Sequence, residues 1–256
     1  STHERAERLR AEKEAQAAKA AAAPVLTIRK EATIATTVDA VIQTDDGTVV
    51  VVDLRSDDCE RSTVWAPIEV ELLAADGTVL ATTNVPGADP SIVHVPSLPG
   101  CGTAFYVNDQ LVPDGKVARA EVVLGGHAEP ISPKPGTLTI EGGKLVRDPN
   151  YGDSFVGTVV NDTDVRQERV IVQAIVRKAG RVTAAGTALV QGLAPGQRAE
   201  FQGFLIGRTA GGRIEIVAPV SKVAGQGAPA PTETSDGSGP EVSGAETGPA
   251  ETGAAD

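Results

Sequence analysis

Two acidic loops contain the residues best suited to bind a metal ion. Each loop directly follows a predicted strand and places two aspartates close together; the four are Asp57, Asp58, Asp162 and Asp164. Clustered carboxylate oxygens suit Ca²⁺, which takes about six to eight oxygen ligands. Neither loop has DxDxDG spacing, however, and arginines lie within a few residues of both. Weak calcium sites are therefore one interpretation, and solvated turn residues are the one we favour.

The two cysteines, Cys59 and Cys101, both fall in predicted loops of the first half of the chain. A disulfide between them would stabilise the fold by about 3–4 kcal/mol and would indicate an oxidising compartment. Two separate thiols are the alternative, because the two loops of an ordinary sandwich lie at opposite ends unless the loop at 55–66 folds back. The sequence leaves both alternatives open.

Enzyme chemistry has little support in the sequence. The three histidines, His3, His94 and His127, have no partner at metal-ligand spacing. The chain also lacks the glycine-rich phosphate loops and the GxSxG turn that mark nucleotide-binding and acyl-transfer enzymes. We therefore expect a non-enzymatic protein without a cofactor. A scattered active site, such as a Cys–His pair, remains the alternative.

Charge and hydropathy exclude several classes of partner. The net charge is −11, and six acidic residues lie beyond Lys222, where there is no lysine or arginine. Such a chain repels the phosphates of nucleic acids, and no apolar run is long enough to span a membrane. The sequence opens at Ser1, contains no methionine and shows no signal peptide. Methionine removal, signal cleavage and the loss of a preceding anchor all fit this start.

The two ends of the chain differ in composition from its middle. Residues 1–24 are rich in alanine and charge, which predicts a solvated helix that serves as a spacer or stalk. Residues 224–256 consist mainly of small, polar and acidic residues, which predicts a disordered acidic tail. Residues 128–135 hold three prolines and predict a stiff linker between domains at 25–127 and 136–223.

The middle of the chain has the pattern of short β-strands separated by glycine and proline turns. The run Val49–Val52 predicts a strand buried on both faces or covered by its neighbours. Trp65, the only tryptophan, is expected to pack in the core or at its rim. The remaining predicted strands are Val25–Ile28, Thr37–Gln43, Thr48–Leu54, Ile68–Leu72, Val79–Thr83, Ser91–Val95, Thr103–Val107, Ala118–Leu124, Thr137–Ile140, Lys144–Arg147, Phe155–Val160, Val170–Arg177, Val182–Thr187, Ala188–Gly192, Ala199–Phe204 and Arg213–Ala218.

A repeated unit connects the two predicted domains. Val170–Phe204 contains a hairpin, a Leu-x-Pro-Gly corner and a phenylalanine, and Ile68–Phe105 is a looser copy of it. This unit resembles the bacterial FxLYD-type family of immunoglobulin-like β-sandwich domains and, more loosely, fibronectin type III. The Tyr-Asp pair of that family is absent from both copies. The resemblance implies two tandem all-β sandwiches in an extracytoplasmic setting, and it implies no catalytic residues.

The sequence therefore predicts a structural or binding protein of the bacterial cell envelope or exterior. Its partner would be another protein, or an assembly on a cell or particle surface. A structural protein of a phage virion, such as a capsid decoration or tail component, is the first alternative, and an enzyme with a scattered active site is the second. The Asn161-Asp162-Thr163 sequence also matches the pattern for N-glycosylation.

Overall fold

A computed structural model describes residues 34–125, 138–148 and 151–223. Within these ranges the fold is all-β, and no helix is long and apolar enough to cross a membrane. The predicted helix, linker, tail and Val25–Ile28 strand lie outside the described residues. The strands are β1 (Ile34–Thr44), β2 (Gly47–Ser56), β3 (Thr63–Leu73), β4 (Val79–Thr82), β5 (His94–Leu98), β6 (Thr103–Asn108), β7 (Arg119–Leu124), β8 (Thr139–Val146), β9 (Ser154–Val160), β10 (Gln167–Lys178), β11 (Arg181–Leu193), β12 (Arg198–Phe204), β13 (Ile206–Gly207) and β14 (Arg213–Val217).

The first half of the described chain, residues 34–125, forms two antiparallel sheets. One sheet has the order β1-β2-β6, and in the other β3 pairs with β4, β5 and β7. The apolar residues of β3 that alternate with Glu69 and Glu71 are fully buried, as their period of two predicts. They pack with residues of the β1-β2-β6 sheet in a first core, which includes Val50, Val52, Ile68, Val70 and Leu72.

The second half, residues 138–223, repeats this arrangement with sheets of order β13-β11-β10-β14 and β12-β9-β8. Both sheets contribute to a second core, in which the Phe155 and Phe201 rings lie 5.9 Å apart. Gly186 of β11 allows the two sheets to meet at one edge. A Cβ atom there would lie 1.9 Å from the carbonyl oxygen of Phe204, so no other residue fits without a backbone shift.

A third apolar cluster joins the two halves, and we call it the interface cluster. Val49 and Val51 of β2 point away from the first core and pack with Ile175, Val182 and Ala185 of the second half. All four residues of Val49–Val52 are 0% exposed, which explains the valine run, since each face of β2 is covered by a different layer. The described residues of both halves belong to one compact unit.

Polar contacts surround the interface cluster. The buried side chain of Gln173 accepts a hydrogen bond from the backbone N–H of Val107, at 2.7 Å, on the edge strand β6. The Asp109 carboxylate accepts two hydrogen bonds from Thr187, and Arg169 pairs with Asp89 at 2.6 Å. These polar contacts between the two halves fix their relative position.

The predicted strands match the structure closely, with a few differences in their bounds. Val182–Thr187 and Ala188–Gly192 form the single strand β11, because Gly186 fits an extended backbone there without a turn. The two strands predicted at 137–140 and 144–147 correspond to the single strand β8 (Thr139–Val146), with an irregularity at Gly142. Thr137 lies outside the described residues. Ser91 forms part of a turn held by Asp89, so β5 begins later than predicted, at His94.

Candidate functional site

A cleft of about 740 Å³ opens where the two halves of the chain diverge. Its first wall is the outer face of the β1-β2-β6 sheet, the same face that carries Val49 and Val51. Its second wall is formed by Arg177 of β10, by Glu215 and Val217 of β14, and by Pro219 just after β14. The cleft therefore lies between the interface cluster and solvent. It uses the same face of the β1-β2-β6 sheet that the second half partly covers.

A shared arginine lies at the inner end of this cleft. Arg177 of β10 donates to Asp39 at 2.6 Å and to Asp53 at 3.4 Å. Asp39 is the extra residue of a β-bulge, since Val38 pairs with Val52 and Ala40 pairs with Val51. A bulge changes which face the following side chains occupy, and it leaves Asp39 facing Arg177 while Val38 packs against the first core.

The cleft is lined by two acidic side chains, Asp53 and Glu215, and by two arginines, Arg55 and Arg177. Burial raises the pKa of Asp53, and the neighbouring carboxylates of Asp39 and Glu215 raise it further, while Arg177 lowers it. Glu215 projects from β14 into the same cleft. Arg213 lies opposite Arg177 on β14, and Arg55 also lines the cleft. Acidic and basic side chains are therefore both present in this part of the cleft.

The disulfide between Cys59 and Cys101 lies beside the cleft, with the two Cα atoms 4.4 Å apart. The topology brings the two loops together, because β2 pairs with β6 and β3 pairs with β5, so both connections cross between the sheets at one end. The loop at 57–62 folds against the turn at 99–102, where Cys101 donates to the Asp58 carbonyl at 2.8 Å. Neither cysteine is a free thiol.

The predicted acidic loops serve as turns. Asp57 pairs with Arg55 at 3.2 Å, and Asp58 accepts hydrogen bonds from the backbone N–H groups of Glu60 and Arg61. The Asp162 carboxylate accepts a hydrogen bond from the Thr139 hydroxyl, and Asp164 is exposed. Among the described residues, no group of three or more His, Cys, Asp or Glu side chains is arranged to hold a metal ion.

The glycosylation pattern does not correspond to an accessible site. Asn161 is 0% exposed, and its side-chain amide donates to the carbonyls of Val165 and Leu193. Its carbonyl oxygen accepts from the Thr163 hydroxyl at 2.6 Å. The side-chain nitrogen that would carry a glycan is therefore already bonded within the fold.

His94 stacks on Trp65, with ring centroids 5.0 Å apart and planes 8° from parallel. The Nδ1 atom of His94 lies 2.9 Å from the Pro90 carbonyl, which can only accept, so Nδ1 carries the proton. Burial lowers the pKa of His94 and keeps the ring neutral near pH 7. Trp65 has a φ of 61°, a value that bulky residues rarely adopt. His3 and His127 lie outside the described residues.

Sequence reasoning missed three residues that line the cleft, and Asp39, which pairs with one of them, Arg177. Asp39, Asp53, Arg177 and Glu215 come from four strands that are far apart in the sequence. One signal was present: Asp53 continues the period of Val49 and Val51, so a charged residue follows on a buried strand face.

Comparison of the chain with protein-family models, curated proteins and solved structures gave no match in any of the three.

Proposed function

We propose that this chain is a non-enzymatic binding or structural protein of the bacterial cell envelope or exterior. Two immunoglobulin-like β-sandwich modules in tandem would form its folded part. The resemblance of the repeated unit to FxLYD-type domains and the matching pair of sheets in each half support this assignment. The cleft between the two halves is the surface on which we place its binding function.

The interface cluster is the observation that carries this proposal. Modules joined only by a linker are free to move relative to each other, whereas these halves share a buried apolar layer with hydrogen bonds around it. A fixed relative position keeps the cleft open in one shape, since its walls come from different halves. Preorganisation of this kind reduces the entropic cost of binding a partner.

The disulfide supports an extracytoplasmic location. Cross-links between cysteines persist in oxidising compartments and are rare in the cytosol, where thiols are kept reduced. The bond joins two loops beside the cleft and so stabilises one of its walls. The disulfide thus fits the proposed role, because a binding protein outside the cytoplasm gains stability from a cross-link beside its cleft.

A non-enzymatic role is supported by the state of the candidate nucleophiles and bases. Both cysteines are in the disulfide, which removes the Cys–His alternative in the oxidised protein. His94 stacks on Trp65 and donates to a backbone carbonyl, and no carboxylate of the described residues is among its hydrogen-bond partners. A substrate screen that finds an activity lost in a His94→Ala/His127→Ala double mutant would contradict this part of the proposal.

Fractionation of the native host tests the location. We expect an antibody against the chain to detect it outside the cytoplasm, in the envelope or the culture medium, and to find its cysteines oxidised. Recovery in purified phage particles would instead favour the virion alternative. Recovery of the reduced chain in the cytosol would contradict both assignments.

A further inference from the structure

The disulfide beside the cleft lies at the protein surface, since both Cys59 and Cys101 are exposed. Structural disulfides of secreted proteins resist reduction by glutathione, whereas exposed disulfides include the labile and regulatory ones. A thiol reagent can therefore reach this bond without any opening of the fold.

Hydrogen bonds join the two loops independently of the sulfur atoms. The backbone N–H of Cys101 donates to the carbonyl oxygen of Asp58 at 2.8 Å. The backbone N–H of Gly100 donates to the hydroxyl oxygen of Ser62 at 3.0 Å, and both of these residues are buried. Neither hydrogen bond involves a sulfur atom, so both can persist when the S–S bond is broken.

The two loops also pack closely against each other. A Cβ atom on Gly100 would lie 2.5 Å from the carbonyl oxygen of Arg61 and 2.9 Å from that of Asp58. The Asp58 carboxylate accepts hydrogen bonds from the backbone N–H groups of Glu60 and Arg61, which fixes the turn that contains Cys59. Backbone and side-chain contacts thus hold the two cysteines near each other.

Opening such a bond takes two thiol–disulfide exchange steps. A thiolate of a reductant attacks one sulfur atom, the S–S bond breaks, and the other cysteine leaves as a thiolate that takes up a proton. A second thiolate of the reductant then displaces the remaining cysteine from the mixed disulfide, and this cysteine is protonated in turn. The protein gains two electrons and two protons, and the reductant leaves as its own disulfide.

We propose that the Cys59–Cys101 bond is a reversible redox clip. A thiol reductant opens it in the folded protein, and the two loops then hold both thiols in position to form the same bond again. Arg55, Pro99 and Thr103 flank the joined loops and line the cleft, so the state of the clip sets how firmly this part of the wall is held. This inference is independent of what the cleft binds.

The first test reduces the full chain with dithiothreitol under native conditions and follows free thiols and backbone amide chemical shifts. We expect two thiols to appear, with shift changes confined to the two loops and the residues next to them. Oxidised glutathione should then restore the original spectrum. Loss of the native shifts in either core on reduction would overturn the proposal.

Hydrogen exchange measures the effect on the cleft wall. Reduction should accelerate exchange at the N–H groups of Gly100 and Cys101, because their loops lose a covalent constraint. The N–H of Val107 donates to Gln173 at the interface and should exchange at an unchanged rate. Equal exchange in the oxidised and reduced proteins at all of these groups would show that the bond does not control the wall.

A core variant separates attack on the native protein from attack after unfolding. Val52 lies in the first core, and Val52→Ala should raise the unfolded fraction by at least about fivefold. If the reductant attacks the native protein, the rate of reduction should rise in proportion to reductant concentration and should be the same in this variant. A rate that increases with the unfolded fraction would overturn the proposal.

Two aspartate variants test whether the loops hold the thiols in position. Asp58→Ala and Asp57→Ala each remove one negative charge close to Cys59, but the Asp58 carboxylate accepts two backbone hydrogen bonds within the loop, whereas Asp57 pairs with Arg55 on the surface. We expect Asp58→Ala to lower the equilibrium constant for closing the clip, measured in glutathione buffers, by about tenfold. Asp57→Ala should leave it nearly unchanged. Equal changes in both variants would show that charge, and not loop geometry, controls closure, and would overturn the proposal.

Discussion

Arg177 of β10 and Asp39 of β1 form an ion pair with a nitrogen–oxygen distance of 2.6 Å across the interface between the two halves. Their side chains are 31% and 21% exposed, so water screens the pair less than it screens a pair on the surface. The bulge that exposes Asp39 to Arg177 thus has a direct energetic consequence for the contact between the halves.

Replacing the arginine should reveal this contribution. We expect Arg177→Ala to lower the free energy of unfolding by about 1–2 kcal/mol, because it leaves partly buried carboxylates without their counter-ion. Urea denaturation followed by circular dichroism measures the change. Arg166→Ala removes an exposed pair with Glu168 and should cost less than about 0.5 kcal/mol. Equal costs would show that the interface pair has no special role.

A pair of valine substitutions tests whether the halves unfold together. Val51 packs in the interface cluster and its neighbour Val52 packs in the first core, and both are 0% exposed. We expect Val51→Ala and Val52→Ala each to cost about 1–3 kcal/mol in a single cooperative transition. If the halves were independent, Val51→Ala would leave the melting of the first half almost unchanged, and calorimetry would resolve two transitions.

Gly186→Ala should be among the most damaging small substitutions. The added methyl group would collide with the carbonyl oxygen of Phe204 and push β11 away from β12. We expect a loss of about 2–4 kcal/mol, within the range for overpacking and backbone displacement. Gln191→Ala on the exposed side of the same strand serves as the control. A melting temperature of Gly186→Ala equal to that of this control would contradict the close approach.

The disulfide predicts the number of reactive thiols. Protein purified without reductant should show no free thiol in the denatured state, since Cys59 and Cys101 are bonded across a sequence separation of 42. The Cys59→Ser/Cys101→Ser double mutant should lose about 3–4 kcal/mol of stability in the chain-entropy model. Two reactive thiols in the untreated protein would reject the bond.

His94 should make stability depend on pH in the mildly acidic range. Burial lowers its pKa below the usual 6.5, so the unfolded chain binds a proton more readily than the native protein does. The contribution of His94 is thus complete above pH 6.5 and is lost as the pH falls toward the lowered native value. Replacing it with phenylalanine preserves the stack on Trp65 and should remove this dependence.

The control for this experiment is His127→Gln, which should retain the pH dependence of the unmodified protein. Urea denaturation at several pH values between 5 and 7.5 gives the comparison. An unchanged slope in His94→Phe would assign the effect to other groups.

Strand positions could be predicted from the sequence because each strand carries its own period and its own turn residues. Ile68, Val70 and Leu72 show one buried face directly, and Asp76-Gly77 marks the following turn. The sequence could not predict what covers the second face of each buried strand. The run Val49–Val52 would look the same whether its second face packed within the first half or against the second half. Pairing across the interface depends on tertiary structure alone.

The candidate site was missed for the same reason. Asp39 pairs with Arg177 only because a β-bulge turns its side chain toward the arginine. A single extra residue in a strand has no reliable sequence signal. The acidic loops were conspicuous because their carboxylates are adjacent in sequence, yet Asp58 mainly holds its own turn. Proximity in the sequence is a poor guide to proximity in a fold with so many long-range strand pairs.

The hydrogen bond from the Val107 N–H to Gln173 also affects the solubility of any fragment of this protein. Cutting the chain between the halves would remove the hydrogen bond that Gln173 accepts from the edge of β6. It would also expose the side chains of Val49 and Val51 to water. An edge of this kind recruits strands from other molecules. The first half produced alone should therefore aggregate, and an expression vector for either module would need to encode both.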